Sequence, residues 1–428
     1  MGWKDTSPSR HGGGLHQYKY VACVLIMISG AFILLEFEAM TALRDPQYEP
    51  VTAFRGPQDE PEKQVHLRSI FRPPHLDAEH FKPRKIHYVT LADNPREEIC
   101  LTGASIYTLS KGQLQILAWN HSTTFFDGTS PSSANSPRVG DFRAGQAKKI
   151  EWIAHYILHH PDLHEDDVVM YTDAWDVAIQ TDMSGVGNTL LKFTSGRRGI
   201  IFNSEPSCGD SFELLGGYGD YLRSRAAFDV QLQPDAPIFK VPGPHICRQM
   251  LIKSAMHSSM GGPNWSLGSG GIVADVKSLR TFMQRVVQVT DEQIERHLAD
   301  PNNVPLFEGD QISFQLAYLR FPEINVMVDT KSEIFMVTSY MTTPGVVERM
   351  DNANGCAPDF YKDGAPSKHS WYGHTPMILH FPGDYKKFWT SCGDPMAEIL
   401  KSKVSGKVMW DVDRNVPIPI RDVCPVYT

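Results

Sequence analysis

The chain has no C-x-x-C pair, no block of Lys and Arg, and no charge at all between Tyr20 and Leu35. Without closely spaced thiolates a structural zinc site has no framework. The 41 Lys and Arg are outnumbered by 49 Asp and Glu, giving a formal net charge of -8, so no basic stripe is left to neutralise phosphates. Nucleic acid is therefore not an expected partner. What is there is a 428-residue chain, 41% hydrophobic and 21% charged. It is long enough to bury a substantial core in one large or two ordinary domains.

The uncharged run reads "YVACVLIMISGAFILL", bounded by Lys19 and Glu36. At the helical rise it spans about 24 Å, close to a thin bilayer, and Phe37, Ala39 and Met40 extend it on one side. Lys4, Arg10 and Lys19 precede the run, and Glu36 and Glu38 follow it. The positive-inside rule then places the N-terminus in the cytosol and the rest in the lumen, a type II topology. A cleaved signal peptide is the alternative, but the run is long for one and no A-x-A site follows. The expected arrangement is a cytosolic tail at 1–19, a transmembrane signal anchor at 20–40, a stem at 41–84 rich in Pro, Glu, Gln and Arg, and a lumenal domain at 85–428. The address is the ER or Golgi membrane.

Cys23 lies in the apolar run, which leaves Cys100, Cys208, Cys247, Cys356, Cys392 and Cys424. An even number in an oxidising compartment implies disulfides, in any of fifteen pairings. Asn120-His-Ser122 and Asn264-Trp-Ser266 are sequons that agree with that address.

From residue 85 short apolar runs ("IHYVTLA", "LQILAW", "VVMYT", "GIIFNSE") alternate with helical ones, with no internal repeat. In "KKIEWIAHYILHH" Ile150, Ile153, Ala154, Ile157 and Leu158 make one apolar stripe. Strands apolar on both faces, alternating with such helices, imply an α/β domain around a mostly parallel central sheet.

In such sheets ligands sit beyond the carboxyl ends of the strands. There "VVMYTDAWDV" places Asp173 and Asp176 three apart, so that both can reach one hard cation while leaving room for phosphates. An Asx-turn followed by a surface aspartate is the plainer alternative.

The stretch resembles the metal motif of the glycosyltransferase half of procollagen lysyl hydroxylases and related collagen-type glycosyltransferase domains. Five further segments resemble the family in the same order: "GQAKKIEWI" at 145–153, "IIFNSEPSC" at 200–208, "LGSGGIVAD" at 267–275, "EGDQISFQLAYL" at 308–319 and "MILHFPGD" at 377–384. Together they cover roughly residues 85–390.

The resemblance implies a GT-A-type nucleotide-diphospho-sugar transferase fold with Mn²⁺, or Mg²⁺, bridging the chain and a UDP-sugar. Asp173, Asp176 and His380 would be the metal ligands. Trp175 would stack on the uracil and Thr90 border it, and Lys149 would lie by the diphosphate. Gly268, Gly270 and Gly271 would let backbone approach the donor sugar, Glu205 would face it, and Gly383 would belong to the loop over the diphosphate. Asp310 would be the acceptor-side carboxylate. Each has a plain reading beside it: Trp175 as core, Lys149 as a solvated helix residue, Asp310 as an N-cap, the glycines as a turn before a helix at 276–288.

Three departures stand out: "FEGDQ" in place of a longer acidic run, Phe381-Pro382-Gly383 after the histidine, and no hydroxylase domain after the module. The expected activity is metal-dependent transfer of a hexose from a UDP-sugar to a hydroxyl of a lumenal protein or glycan, with donor sugar, acceptor and stereochemistry open. The alternatives are a lumenal phosphoester hydrolase using the same residues and a catalytically silent sugar-nucleotide-binding membrane protein.

Overall fold

The computed structural model describes residues 81–93, 96, 98–119, 142–208, 226–258, 264–300, 304, 309–338, 346–351, 354–404 and 406–424. All lie in one compact unit, Ile70–Thr428. The expected cytosolic tail, the signal anchor, nearly all of the stem, Cys23 and the sequon at Asn120 fall outside the described residues. Among the described residues no helix is long and apolar enough to cross a membrane.

Runs of Val, Ile, Tyr and Phe, which suit a pleated backbone, form the strands. In chain order they are β1 Ile86–Leu91, β2 Leu114–Leu117, β3 Val168–Asp173, β4 Val177–Ile179 and β5 Ile200–Glu205. There follow β6 Ala227–Val230, β7 Phe239–Pro242, β8 Ser266–Asp275, β9 Val326–Val328 and β10 Phe335–Val337. The last are β11 Met350–Asp351, β12 Gly355–Cys356, β13 Ile378–His380, β14 Val408–Asp411 and β15 Val416–Pro419.

Among the described residues eight strands make the central sheet, in the order β15-β14-β2-β1-β3-β8-β5-β9. Within it β1, β2, β3, β5, β9 and β14 share one direction, while β8 and β15 oppose them. The sheet is mostly parallel, and it has a core on each face. Alternate residues of β3 show this directly: Val168 and Met170 enter one cluster, Val169 and Tyr171 the other.

The helix Phe142–His159 packs its stripe as the spacing predicts, with Ile150, Ile153, Ala154 and Ile157 buried. The helix after β8 is longer than expected. It runs Val276–Ala299 and is capped by Asp275, which accepts the Ser278 N–H at 2.9 Å. The glycine-rich stretch before it is not a turn but the longest strand of the sheet, buried throughout and antiparallel between β3 and β5. Its glycines answer crowding: a Cβ on Gly271 would lie 2.5 Å from the Phe335 ring.

Described residues ahead of 85 also pack on this domain. Phe81 is buried under the Arg198 guanidinium, and Arg84 Nε donates to Asp167 at 3.1 Å. The six cysteines after the apolar run pair as Cys100–Cys424, Cys208–Cys247 and Cys356–Cys392. The Asn264 sequon needs a correction. Its side chain is 1% exposed and its amide donates to Ser332 Oγ at 3.4 Å, so in this fold it offers no nitrogen to a glycan.

One buried cation makes a pH prediction. Lys253 is 3% exposed; it donates to the Tyr318 carbonyl and lies 4.7 Å from the Tyr318 ring. Burial lowers its pKa to about 7, against a smaller opposing pull from Glu323. Between that value and the ordinary lysine range the unfolded chain binds the extra proton, so this group's contribution to stability rises with pH through that window and is least favourable below it. Lys253→Met is therefore expected to raise the unfolding midpoint by about 3 °C at pH 6, with the gain shrinking toward pH 10 in parallel thermal melts. A gain independent of pH would contradict this.

Candidate metal centre

The centre is built where two sheets meet. β3 ends at Asp173, and after three intervening residues the chain enters β4, which belongs to a small sheet ordered β10-β13-β4. β13 runs antiparallel to β4 with His380 opposite Val177, and the Phe381 N–H donates to the Asp176 carbonyl at 2.7 Å. This register sets His380 beside the aspartate pair although some two hundred residues separate them in the chain.

One ligand atom each from Asp173, Asp176 and His380 lies within 4.8 Å of the others. His380 Nε2 is 3.6 Å from Asp176 Oδ1 and 3.7 Å from Asp173 Oδ2, too far for good hydrogen bonds. Asp176 Oδ1 and His380 Nε2 are both buried without a hydrogen-bond partner. Two oxygens or nitrogens held about 2.1 Å from a common ion stand about 3.0 Å apart at right angles and about 4.2 Å when opposed. The observed spacings fall between, and two carboxylates with one imidazole suit Mn²⁺ and also admit Mg²⁺. The residues fit a divalent cation.

Burial opposes the Asp176 charge, but His380 and then Lys386 outweigh it and hold the carboxyl below its usual range. Burial likewise opposes the His380 charge, but Asp176 first, then Asp173 and Glu205, together outweigh it and raise the imidazole above its usual range.

Beside the triad Lys149 Nζ lies 2.6 Å from Asp173 Oδ1, 3.0 Å from Asp310 Oδ2 and 3.2 Å from the Ser269 carbonyl. It is not a solvated helix residue: its side chain is 11% exposed. Burial works against its charge, but Asp173 and Asp310 hold the ammonium protonated. Asp310 is not an N-cap. Gly309 takes that position in the helix Asp310–Arg320, and the carboxylate pairs with Lys149 instead.

Glu205, at the carboxyl end of β5, accepts from Gln311 Nε2 at 3.2 Å, and Gln311 Oε1 accepts the Ser269 N–H at 3.3 Å. Burial pushes the Glu205 carboxyl up despite that hydrogen bond. The glycine strand runs close behind the metal ligands, since a Cβ on Gly270 would lie 2.2 Å from His380 Cε1 and 2.9 Å from Asp173 Oδ2.

Trp175 is half-buried against the core, with the Arg96 guanidinium 5.2 Å from its ring centroid. Thr90 is 0% exposed, and its hydroxyl donates to the Thr172 carbonyl at 2.8 Å, so it offers no free hydroxyl to a base. Gly383 has φ +61, the left-handed region that favours glycine, and opens the turn Gly383–Phe388.

That turn carries a residue the sequence reading overlooked: Lys386, whose Nζ is 3.2 Å from Asp176 Oδ2 and whose side chain is half exposed. The basic pair Lys386-Lys387 six residues after His380 was the available signal. Tyr171, whose hydroxyl donates to Asp173 Oδ1 at 3.3 Å, was hidden by its place in an apolar strand.

Crowding at Gly270 yields a prediction. Gly270→Ala is expected to weaken Mn²⁺ binding by about ten-fold or more, because the added methyl displaces His380 and Asp173 together. Loss of the free-ion signal in electron paramagnetic resonance titrations, with circular dichroism as a fold control, measures it; wild-type affinity in a folded variant would contradict it.

No known family model matches this sequence, and no curated protein sequence does. Among solved structures, that of a galactosyltransferase, LgtC, in complex with donor and acceptor sugar analogues is 13% identical over 74% of this chain and 96% of that one, with a TM-score of 0.35. The apo form of mouse xyloside xylosyltransferase 1 is 12% identical over 70% of this chain and 98% of that one, with a TM-score of 0.34. Likeness at this level gives the chain neither a fold family nor an activity.

Proposed function

We propose that the chain is a metal-dependent glycosyltransferase that moves a hexose from a UDP-sugar to a hydroxyl of a lumenal protein or glycan. One observation carries the reading: Asp173, Asp176 and His380 converge with two donor atoms left unbonded, beside a lysine–aspartate pair at the carboxyl end of a mostly parallel sheet. The motif order seen in the sequence supports it independently.

Asp173, Asp176 and His380 would hold a divalent cation, which when bound would supply positive charge against the diphosphate. Lys149 is a second, fixed cation for the same charge as UDP leaves, and it needs no reorganisation because Asp173, Asp310 and the Ser269 carbonyl already hold it. Lys386, on its exposed arm, is a third. Glu205 and Gln311, beside the Ser269 N–H, are the hydrogen-bonding groups proposed for the sugar's hydroxyls. Asp310 is the acceptor-side carboxylate, tied to Lys149 so that donor and acceptor groups share one frame.

The address proposed is the ER or Golgi membrane with the catalytic domain lumenal. The uncharged run Tyr20–Leu35 and the three disulfides support it.

The test is UDP release from a panel of UDP-sugars by the purified chain, in Mn²⁺ and in chelator. Metal-dependent release selective for one donor is expected. Release of phosphate from simple esters, indifferent to uracil, would favour a hydrolase, and tight UDP binding without turnover across acceptors a silent binding protein.

A further inference from the structure

We infer that His155 and His159 form a second metal site, a two-histidine chelate for Zn²⁺ or another transition ion that favours imidazole, such as Cu²⁺ or Ni²⁺. The site goes beyond the transferase reading and does not depend on it.

The two histidines are four residues apart in the helix Phe142–His159, and both are exposed. That spacing sets their side chains one above the other on one helix face. Their ring centroids are 5.3 Å apart, with the planes tilted by 51°. A tetrahedral ion about 2.0–2.1 Å from one nitrogen of each ring stands about 3.2 Å from each centroid, which separates the centroids by about 5.2 Å. The rings already hold the spacing that a shared ion needs. Ile150, Ile153, Ala154 and Ile157 anchor the same helix in the core, so binding orders little that is not already fixed.

Two further features favour a cation there. Partial burial first, and then the neighbouring His159 and His160, lower the His155 pKa, so its ring is neutral and able to ligate at pH 7. The pair also lies in the last turns of the helix, whose unsatisfied carbonyls attract positive charge. His160 is directed elsewhere: its Nδ1 accepts the Asp162 N–H at 3.3 Å, and its ring centroid lies 5.0 Å from that of Tyr156. Among the described residues no third His, Cys, Asp or Glu closes on the pair, so water completes the coordination shell. Two imidazoles select the ion, because Mn²⁺ stands lowest in the first-row order and favours oxygen, whereas Zn²⁺, Ni²⁺ and Cu²⁺ favour nitrogen.

The experiment titrates Zn²⁺ calorimetrically into the full chain held in saturating Mn²⁺, for wild type, His155→Gln, His159→Gln and His160→Gln. Glutamine is a good helix former and both positions of the pair are exposed, so the variants keep the fold; unfolding midpoints in chelator check this. Wild type is expected to take up one more equivalent of Zn²⁺ than His155→Gln or His159→Gln, because loss of one arm of a chelate weakens binding by about 10²-fold or more. His160→Gln is expected to match wild type, and UDP release in Mn²⁺ to be the same in all four proteins.

Zn²⁺ that exchanges into the triad, or binds histidines elsewhere, appears equally in all four and cancels in the difference. Equal uptake by wild type, His155→Gln and His159→Gln overturns the inference. So does a loss in His160→Gln as large as that in His159→Gln. Either result leaves the transferase reading untouched, since that reading is tested by UDP release.

Discussion

Asp176→Ala is expected to remove metal-dependent UDP binding, so that affinity for UDP in Mn²⁺ falls to the value found in chelator and turnover drops below detection. Asp176 holds a buried oxygen without a hydrogen-bond partner toward the triad, and its other oxygen meets Lys386 at 3.2 Å. Alanine takes away one of three ligands and releases the lysine as well. The fold has little reason to fail, because the backbone carbonyl of residue 176 still accepts the Phe381 N–H and the β4–β13 register does not depend on the side chain. Isothermal titration of UDP with and without Mn²⁺ measures the effect. Equal UDP affinity in wild type and variant would remove the triad from the account.

Lys149→Met is expected to separate chemistry from metal binding. Methionine keeps much of the apolar stem and loses the charge that lies 2.6 Å from Asp173 and 3.0 Å from Asp310. Turnover is expected to fall about 10²–10³-fold, the scale seen when one preorganised donor to developing charge is removed. Mn²⁺ affinity is expected to hold or rise, since Asp173 no longer shares its charge with an ammonium. Lys149→Arg is not expected to rescue turnover, because a planar fork cannot replace a point charge in a site already closed on three sides. A kcat within a few-fold of wild type would show that Lys149 only stabilises the aspartates.

Much of the centre was legible in local pattern. An apolar strand ending in two aspartates reads as a site because strand ends are where an α/β sheet opens to ligands, and the stripe Ile150, Ile153, Ala154, Ile157 reads as a helix on that sheet. Long-range features were not legible. The reversed course of β8 is set by pairing to β3 and β5, and its glycines carry the same letters a turn would. What distinguishes them is the Phe335 ring, His380 and Asn203 pressing on them from elsewhere in the chain.

Lys386 depends on a turn whose reach is fixed by Gly383 and Pro382, and no periodicity announces it. The disulfide pairing followed from the fold rather than from spacing, as fifteen alternatives implied. Burial of Asn264 shows the same limit, since a sequon is a local pattern and exposure is not.

The most direct measurement is anomalous diffraction at the manganese edge from crystals of the chain grown with Mn²⁺ and UDP. The account predicts one strong peak among Asp173 Oδ2, Asp176 Oδ1 and His380 Nε2, with the diphosphate on its open side toward Lys149. No peak there while UDP is bound, or a peak held by other residues, would contradict the central claim.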